Sequence, residues 1–333
     1  MVVSSIRIRE GIITVERSIL AADIGGTNSR FAYFTFDGTL TLRDTIWLST
    51  READSFNGLV KTLRASEFPL KPYNADICSF AVAGAVERGG TYSNPPLIDW
   101  DIDVNSTEGL SRCELLNDFV AQAHACLSPI AGAAETVLEG VPVKGGTIAV
   151  LGAGTGLGKA ALVKDEYGGY YYPMPSEGGH ADYPFIGERE YVYRAFLAEA
   201  TGSEDITPNT VVSGRGLSFL HQFLTGVILS PEDVSATLDT ESETCRWFAR
   251  FYGRLAKNFV LDTLATGGLY IAGGIAAKVP MLVKHPEFER EFTSSNTYAA
   301  LLGNIPVKLI SDQDSGLWGA AYHGKTVLER DNG

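Results

Sequence analysis

Four stretches of this sequence combine residue types and spacings that could do chemistry. In CELLNDFVAQAHACL, Glu114 to Leu116 ends a strand-like run, and Phe119, Ala123 and Leu127 begin a helical stripe, which puts Asn117 and Asp118 at a strand-to-helix corner. Asn and Asp are both favoured helix N-caps, so capping accounts for either residue alone. It accounts less easily for the pair, and a carboxylate there could orient a substrate hydroxyl and accept its proton late in phosphoryl transfer. In ADIGGTNSRF, Asp23 stands before Gly25-Gly26, with Thr27 and Asn28 following. Adjacent glycines expose backbone N–H groups to an anion, and Asp23 could hold a magnesium ion beside it; the plainer reading is a Gly-Gly hairpin with a solvated acid. In LGAGTGLGKAALV, Gly152, Ala153, Gly154, Thr155, Gly156 and Gly158 repeat that design. In YYYPMPSEGGHADY, Glu177 and His180 flank Gly178-Gly179. A carboxylate acceptor and an imidazole on one tight turn suit the adjacent hydroxyls of a sugar, although a lone loop His is more often structural.

The elements that must position these groups follow from periodicity. Ile19 to Ala22 and Phe31 to Phe36 read as two strands around the first glycine turn, and Ile148 to Leu151 opens the same arrangement about 130 residues later. Such a pair suggests a duplicated core whose turns face one another across a cleft, with room for a nucleotide's phosphates. Phe56, Leu59, Val60 and Leu63 have helical spacing; Ala75 to Val86 is a nearly continuous apolar strand ending in a turn at Gly84. The stretch Glu87 to Asp103, with Asn94, Pro95-Pro96 and Trp100, reads as a loop beyond a strand's carboxyl end, where open α/β sheets bind ligands. Glu188 to Ala200 is helical with Gly202 as its cap, and a helix starts at Leu217 after the Ser213-Gly214 corner. Trp247, Phe251, Leu255 and Phe259 mark a long core helix that stops at Gly267-Gly268. Leu269 to Ala272 is a strand, Gly273-Gly274 opens a helix where a flat base could lie, and Ile305 to Ile310 and Ser315 to Glu329 are the last strand and helix.

Composition narrows the possibilities. A chain of 333 residues, 45% hydrophobic, can bury a large core and form two domains. Its net charge of −13, from 27 Lys+Arg against 40 Asp+Glu, argues against nucleic acid or an anionic membrane as partner. Cys78, Cys113, Cys126 and Cys245 form no CxxC and sit among apolar residues, as in a cytoplasmic protein with reduced thiols. Met1 to Arg17 lacks the apolar core of a signal peptide and reads as a loose or strand-like extension, and no run is long enough for a membrane span. Two motif matches are rejected. Gly319-x4-Gly324-Lys325-Thr326 has Walker A spacing but falls inside the final helix, and Gly152 to Gly158 lacks the third glycine of a dinucleotide fingerprint.

ADIGGTNSRFAYF, LLNDF, LGAGTGLGKAALV, SEGGHADY, VVSGRGL and IAGGI occur in the order and approximate spacing of the bacterial-type ATP-dependent glucokinases, of the hexokinase, actin and Hsp70 superfamily. The chain resembles that family from about Ile19 to Leu328, and it lacks the zinc-binding cysteine cluster of the related repressor and kinase sugar family. The resemblance implies an α/β fold of two ribonuclease-H-like, actin-like ATPase domains flanking a cleft: residues 1–128 plus 312–333, and 129–311. It implies ATP with Mg2+ and glucose as small-molecule ligands, glucose 6-phosphate as product, a cytoplasmic location and a homodimer. It makes Asp23, Gly25, Gly26, Thr27 and Asn28 the first phosphate loop, with Asp23 near the metal, Gly152 to Gly156 the second, and Gly273-Gly274 the adenosine turn. Asn117, Asp118, Glu177 and His180 match the sugar set, with Asp118 as base, and Asn94 and Asn209 stand at further candidate substrate-binding positions. Two places depart: the family usually has Glu where this chain has Asn209, which bears on sugar preference, and the Asn94 loop differs, with Pro95-Pro96 inserted before Trp100. Kinases of another hexose such as mannose, a non-catalytic sugar and nucleotide sensor, and a phosphohydrolase of the same superfamily are the alternatives.

Overall fold

The computed structural model describes residues 6–9, 12–165 and 169–331, and the chain divides into two compact units, 1–131 with 314–333, and 132–313. In the first unit five strands form one sheet in the order Cys113–Asn117, Ile77–Val82, Arg17–Ile24, Asn28–Phe36, Leu40–Ser49. The first three are parallel and the last two complete antiparallel hairpins. Strand Ile77–Val82 is buried at every position, as its unbroken apolar run requires of a strand covered on both faces. On one face, Phe56, Leu59, Val60 and Leu63 of helix Phe56–Ala65 pack with Leu20, Phe31 and Phe80. Its start is fixed by the Ser55 hydroxyl, which accepts from the Gly58 N–H.

The other face is covered by helix Ser315–Arg330, which also lies against helix Asp118–Ala125. The glycines that imitate a Walker A loop are there for packing. A Cβ on Gly319 would overlap the Ala121 carbonyl oxygen, and one on Gly324 would lie 3.0 Å from Ile19 Cγ2. Helix Asp118–Ala125 buries Val120, Ala121, Ala123, His124 and Ala125, whereas Phe119 is half-buried and Leu127 lies past its end. The expected Phe119, Ala123, Leu127 stripe is therefore rotated, because the final helix rather than the sheet defines what this helix must bury.

That interface encloses His124, whose two ring nitrogens have no hydrogen-bond partner and whose ring lies 5.1 Å from that of His323. Burial, aided by His323 and Arg330, holds its pKa well below the usual 6.5. The unfolded chain takes up a proton below that value while the folded one does not, so this contribution is complete above pH 6.5 and is lost as pH falls. His124 should contribute a fall in stability of up to about 1.4 kcal/mol per pH unit below that point, and His124→Phe should remove that contribution. Thermal melts of both proteins from pH 8 to 5 check this; equal acid sensitivity would contradict it.

A further expectation in this unit changes. Residues 87–103 are not a plain loop: Val86–Glu87, Tyr92–Ser93 and Ile102–Asp103 form a small antiparallel sheet, too short to leave an alternating signal. At the N-terminus Ile6–Arg9 pairs antiparallel with Ile12–Val15, while residues 1–5 and 10–11 lie outside the described residues.

In the second unit six strands run in the order Glu135–Leu138, Val307–Leu309, Gly268–Ala272, Ile148–Ala153, Leu157–Lys164, Tyr171–Ser176. The three inner strands before Leu157–Lys164 are parallel, and the second glycine hairpin is antiparallel. Helix Glu243–Thr263 buries Trp247, Phe251, Leu255 and Phe259, with Phe251 stacked on Tyr193 at 5.8 Å. This helix ends at Thr263, not at Gly267-Gly268: Leu264 adopts φ 47 as its cap, and Gly268 at φ 121 already begins the next strand. The helix after Ser213 begins at Gly214 rather than Leu217, because the Ser213 hydroxyl caps the Gly216 N–H.

Candidate active site

In the first unit the register pairs Ile24 with Val82 and Val82 with Asn117, so three parallel strands end level with one another. The turns that follow them, at Gly25, Gly84 and Asp118, consequently gather at the carboxyl edge of the sheet, where ligands of open α/β sheets bind. Gly25 donates to the Asn28 carbonyl at 3.2 Å, closing the first turn, and Thr27 and Asn28 are exposed. Gly26 must be glycine: its Cβ would stand 2.6 Å from the Leu97 oxygen. Gly84, at φ +87, faces Pro96 in the same way. The Asn94 to Leu97 stretch thus lies over both turns, with Asn94 exposed.

Asn117 is the helix cap. Its Oδ1 accepts from Phe119 N–H at 2.9 Å and Val120 N–H at 3.2 Å, and its Nδ2 donates to the Gly84 oxygen at 3.0 Å. One amide hydrogen is left for a ligand. Since Asn117 does the capping, the Asp118 carboxylate is not needed for it, although its Oδ1 also accepts from Phe119 N–H at 2.9 Å.

Asp23 Oδ2 accepts from Arg30 Nη2 at 2.6 Å, and Arg30 Nη1 donates to Asp314 at 3.2 Å while its guanidinium covers Trp47 at 5.1 Å. Among the described residues no three His, Cys, Asp or Glu side chains converge on a metal position. Asp23 is a single carboxylate beside the glycine turn, a donor that would fit a magnesium ion carried mainly by phosphates. The pairing of Arg30 with Asp314 leaves no local signal in the sequence, because the two are 284 residues apart.

In the second unit Gly152 pairs with Ala272 across parallel strands, bringing the Gly154-Thr155-Gly156 turn beside Gly273-Gly274. Gly273 has φ +88, and its Cβ would lie 2.7 Å from the Ala153 oxygen. Gly154, Thr155, Asn209, Arg215, Gly274 and Lys278 border a groove of about 900 Å³ whose apolar wall includes Phe219, Ile275 and Val279. Lys278 and Phe219 carried no sequence signal, since each reads as an ordinary helix residue.

Glu177 and His180 flank a single 3-10 turn, both exposed, with His180 N–H donating to the Glu177 oxygen at 2.9 Å. A Cβ on Gly179 would overlap the Leu157 oxygen. Lys159 lies behind this turn against the Phe259 ring at 5.2 Å, where burial lowers its pKa. Asn209 is tied at both ends: Oδ1 accepts from Leu157 N–H at 2.6 Å, and Nδ2 lies 3.2 Å from His180 Nε2.

The glucokinase family model matches residues 20–327. Glucokinase of Brucella suis is 31% identical over 95% of each chain. Among solved structures, a glucokinase from an Antarctic psychrotroph is similar with TM-score 0.78 and 25% identity, over 93% of this chain and 99% of that one. A glucokinase of Balamuthia mandrillaris in complex with glucose is similar with TM-score 0.78 and 19% identity, over 93% and 94%. These likenesses carry the mixed α/β, two-domain actin-like ATPase fold over nearly the whole chain. With the family's match spanning almost every described element, the chain belongs to the glucokinase family.

Proposed function

We propose that this enzyme, a member of the hexokinase, actin and Hsp70 superfamily, transfers the γ-phosphoryl group of ATP to the 6-hydroxyl of glucose. The observation that carries the reading is the groove of the second unit. Its volume of about 900 Å³ suits a nucleotide, its border holds the Gly154-Thr155 turn and Gly274, and Asn209 joins it to the Glu177–His180 turn. In the second unit phosphates would take the N–H groups of that turn and the base would lie against Gly273-Gly274; in the first, the Gly25 to Asn28 turn offers N–H groups of the same kind. The candidates for holding the sugar are Glu177 and His180 in the second unit and Asn94, Asn117 and Asp118 in the first. The hydroxyl oxygen bonds to the γ-phosphorus as the bond to the bridging oxygen of ADP breaks, and the hydroxyl proton passes to the Asp118 carboxylate. Asp23 would hold a magnesium ion together with the phosphates, and the ion would supply neutralisation of the phosphate charge.

The two units are read as the two domains of such a kinase, and the enzyme as a cytoplasmic homodimer. No helix among the described residues is long and apolar enough to cross a membrane, and the four cysteines are unpaired. A second reading, phosphorylation of another hexose, is favoured by Asn209 standing where the family usually has Glu.

The test is ADP release with ATP, magnesium and a panel of hexoses, beside the same mixture without sugar. Strong glucose-dependent release is expected. Preference for mannose or another hexose would support the second reading, and sugar-independent release would overturn both.

A further inference from the structure

Asn209 is a half-buried amide with a fixed orientation. Its partner at 2.6 Å is the backbone N–H of Leu157, which can only donate, so Oδ1 must face Leu157 and Nδ2 must face His180. An amide NH2 can only donate, so the His180 Nε2 atom 3.2 Å away must accept. The neutral imidazole then carries its proton on Nδ1. We propose that Asn209 is a positioning residue that holds His180 as the Nδ1–H tautomer and thereby sets which sugar hydroxyls the Glu177–His180 turn can bind.

The consequence follows from donor and acceptor counting. Glu177 offers a carboxylate that only accepts, and an Nδ1–H imidazole offers a donor, so the turn presents one of each to neighbouring hydroxyls. A carboxylate at position 209 would instead accept from both Leu157 N–H and an Nε2–H, leaving Nδ1 as a second acceptor. The Asn therefore reverses the hydrogen-bonding sense of His180 relative to a Glu. The placement also leaves little freedom to escape it: a Cβ on Gly156 or on Gly179 would lie 3.0 Å and 2.8 Å from Asn209 Oδ1, so both turns pack against the amide.

The inference rests on the reading of Glu177 and His180 as the sugar turn, and the experiment separates the two. The full chain has five histidines, so two-bond 1H–15N spectra of the 15N-histidine-labelled protein at about pH 8.5 are tractable, with His180 assigned by the signals missing in His180→Gln. The expected wild-type pattern is a protonated Nδ1 and an unprotonated Nε2. Asn209→Asp keeps an acceptor for Leu157 N–H but removes the donor, so its His180 should show a protonated Nε2. The glucose KM should shift about ten-fold with a smaller change in kcat, an effect that a merely structural role, preserved by the Leu157 bond, would not produce. An Nε2–H tautomer in the wild type, or identical patterns in wild type and Asn209→Asp, overturns the proposal. The expected tautomer with a glucose KM unchanged in His180→Gln overturns the sugar turn itself, and with it the assigned role in sugar selection.

Discussion

Asp118→Asn should lower turnover by about 10²-fold or more while leaving glucose and ATP binding measurable. The change keeps size and an acceptor oxygen, so Phe119 N–H, which bonds Asp118 Oδ1 at 2.9 Å, retains its partner. The helix cap is untouched because Asn117 supplies it. What is lost is the capacity to take the hydroxyl proton, plus a favourable charge in the first turn of helix Asp118–Ala125, which contributes less than about 1 kcal/mol to stability. The thermal midpoint should therefore move little while kcat collapses. Asn117→Ala makes the complementary case, costing roughly 1 kcal/mol or more through lost capping and detaching the helix start from Gly84. Steady-state kinetics and melts of both variants separate the roles; near-normal kcat in Asp118→Asn would refute Asp118 as the base.

Gly319→Ala should destabilise the fold although alanine is the better helix former. Two effects oppose one another. Replacing an exposed helical glycine with alanine gains about 1 kcal/mol from propensity. Here the new methyl group overlaps the Ala121 carbonyl oxygen, a backbone atom that cannot rotate away, and overpacking of this kind costs about 1–3 kcal/mol or more. The loss should win, and Gly319→Val should be worse. Because Ala121 lies one turn from Asp118 on the same helix, separation of the two helices should also lower kcat at temperatures where the protein is still folded. Gly324→Ala is the control: its nearest neighbours are side-chain atoms at 3.0 to 3.4 Å, which can give slightly. Thermal midpoints of the three variants test this; an increase for Gly319→Ala would show that the helices are not in contact there.

Both variants concern a helix whose existence the sequence announces but whose environment it does not. The spacing of Phe56, Leu59, Val60 and Leu63 and the unbroken run at Ile77–Val82 translate directly into a buried helix face and a buried strand, because those signals are local periodicities. Glycine turns are legible for the same reason: Gly25-Gly26 and Gly154 to Gly156 each sit between runs that already read as strands. The strand-helix corner that places Asn117 and Asp118 was equally readable. By contrast the spacing of Phe119, Ala123 and Leu127 does not mark the buried face of its helix, and Gly267-Gly268 lies beyond the end of helix Glu243–Thr263. In both cases the deciding contact comes from an element distant in sequence or from the strand that follows.

The sequence by itself determined the turns, the strand ends and the residue types offered there, since backbone freedom and hydrophobic period act over a few residues. Only the tertiary structure decided which of those groups are committed to each other. Arg30 lies between Asp23 and Asp314, which are 291 residues apart, and Asn209 spans 52 residues to Leu157 and 29 to His180. Hydrogen bonds of that separation leave no periodic trace in the chain, because each depends on two partners being delivered to one place by independent elements. The amide at position 209 reads in sequence as a weakened sugar ligand, and in the fold as a donor that fixes a histidine.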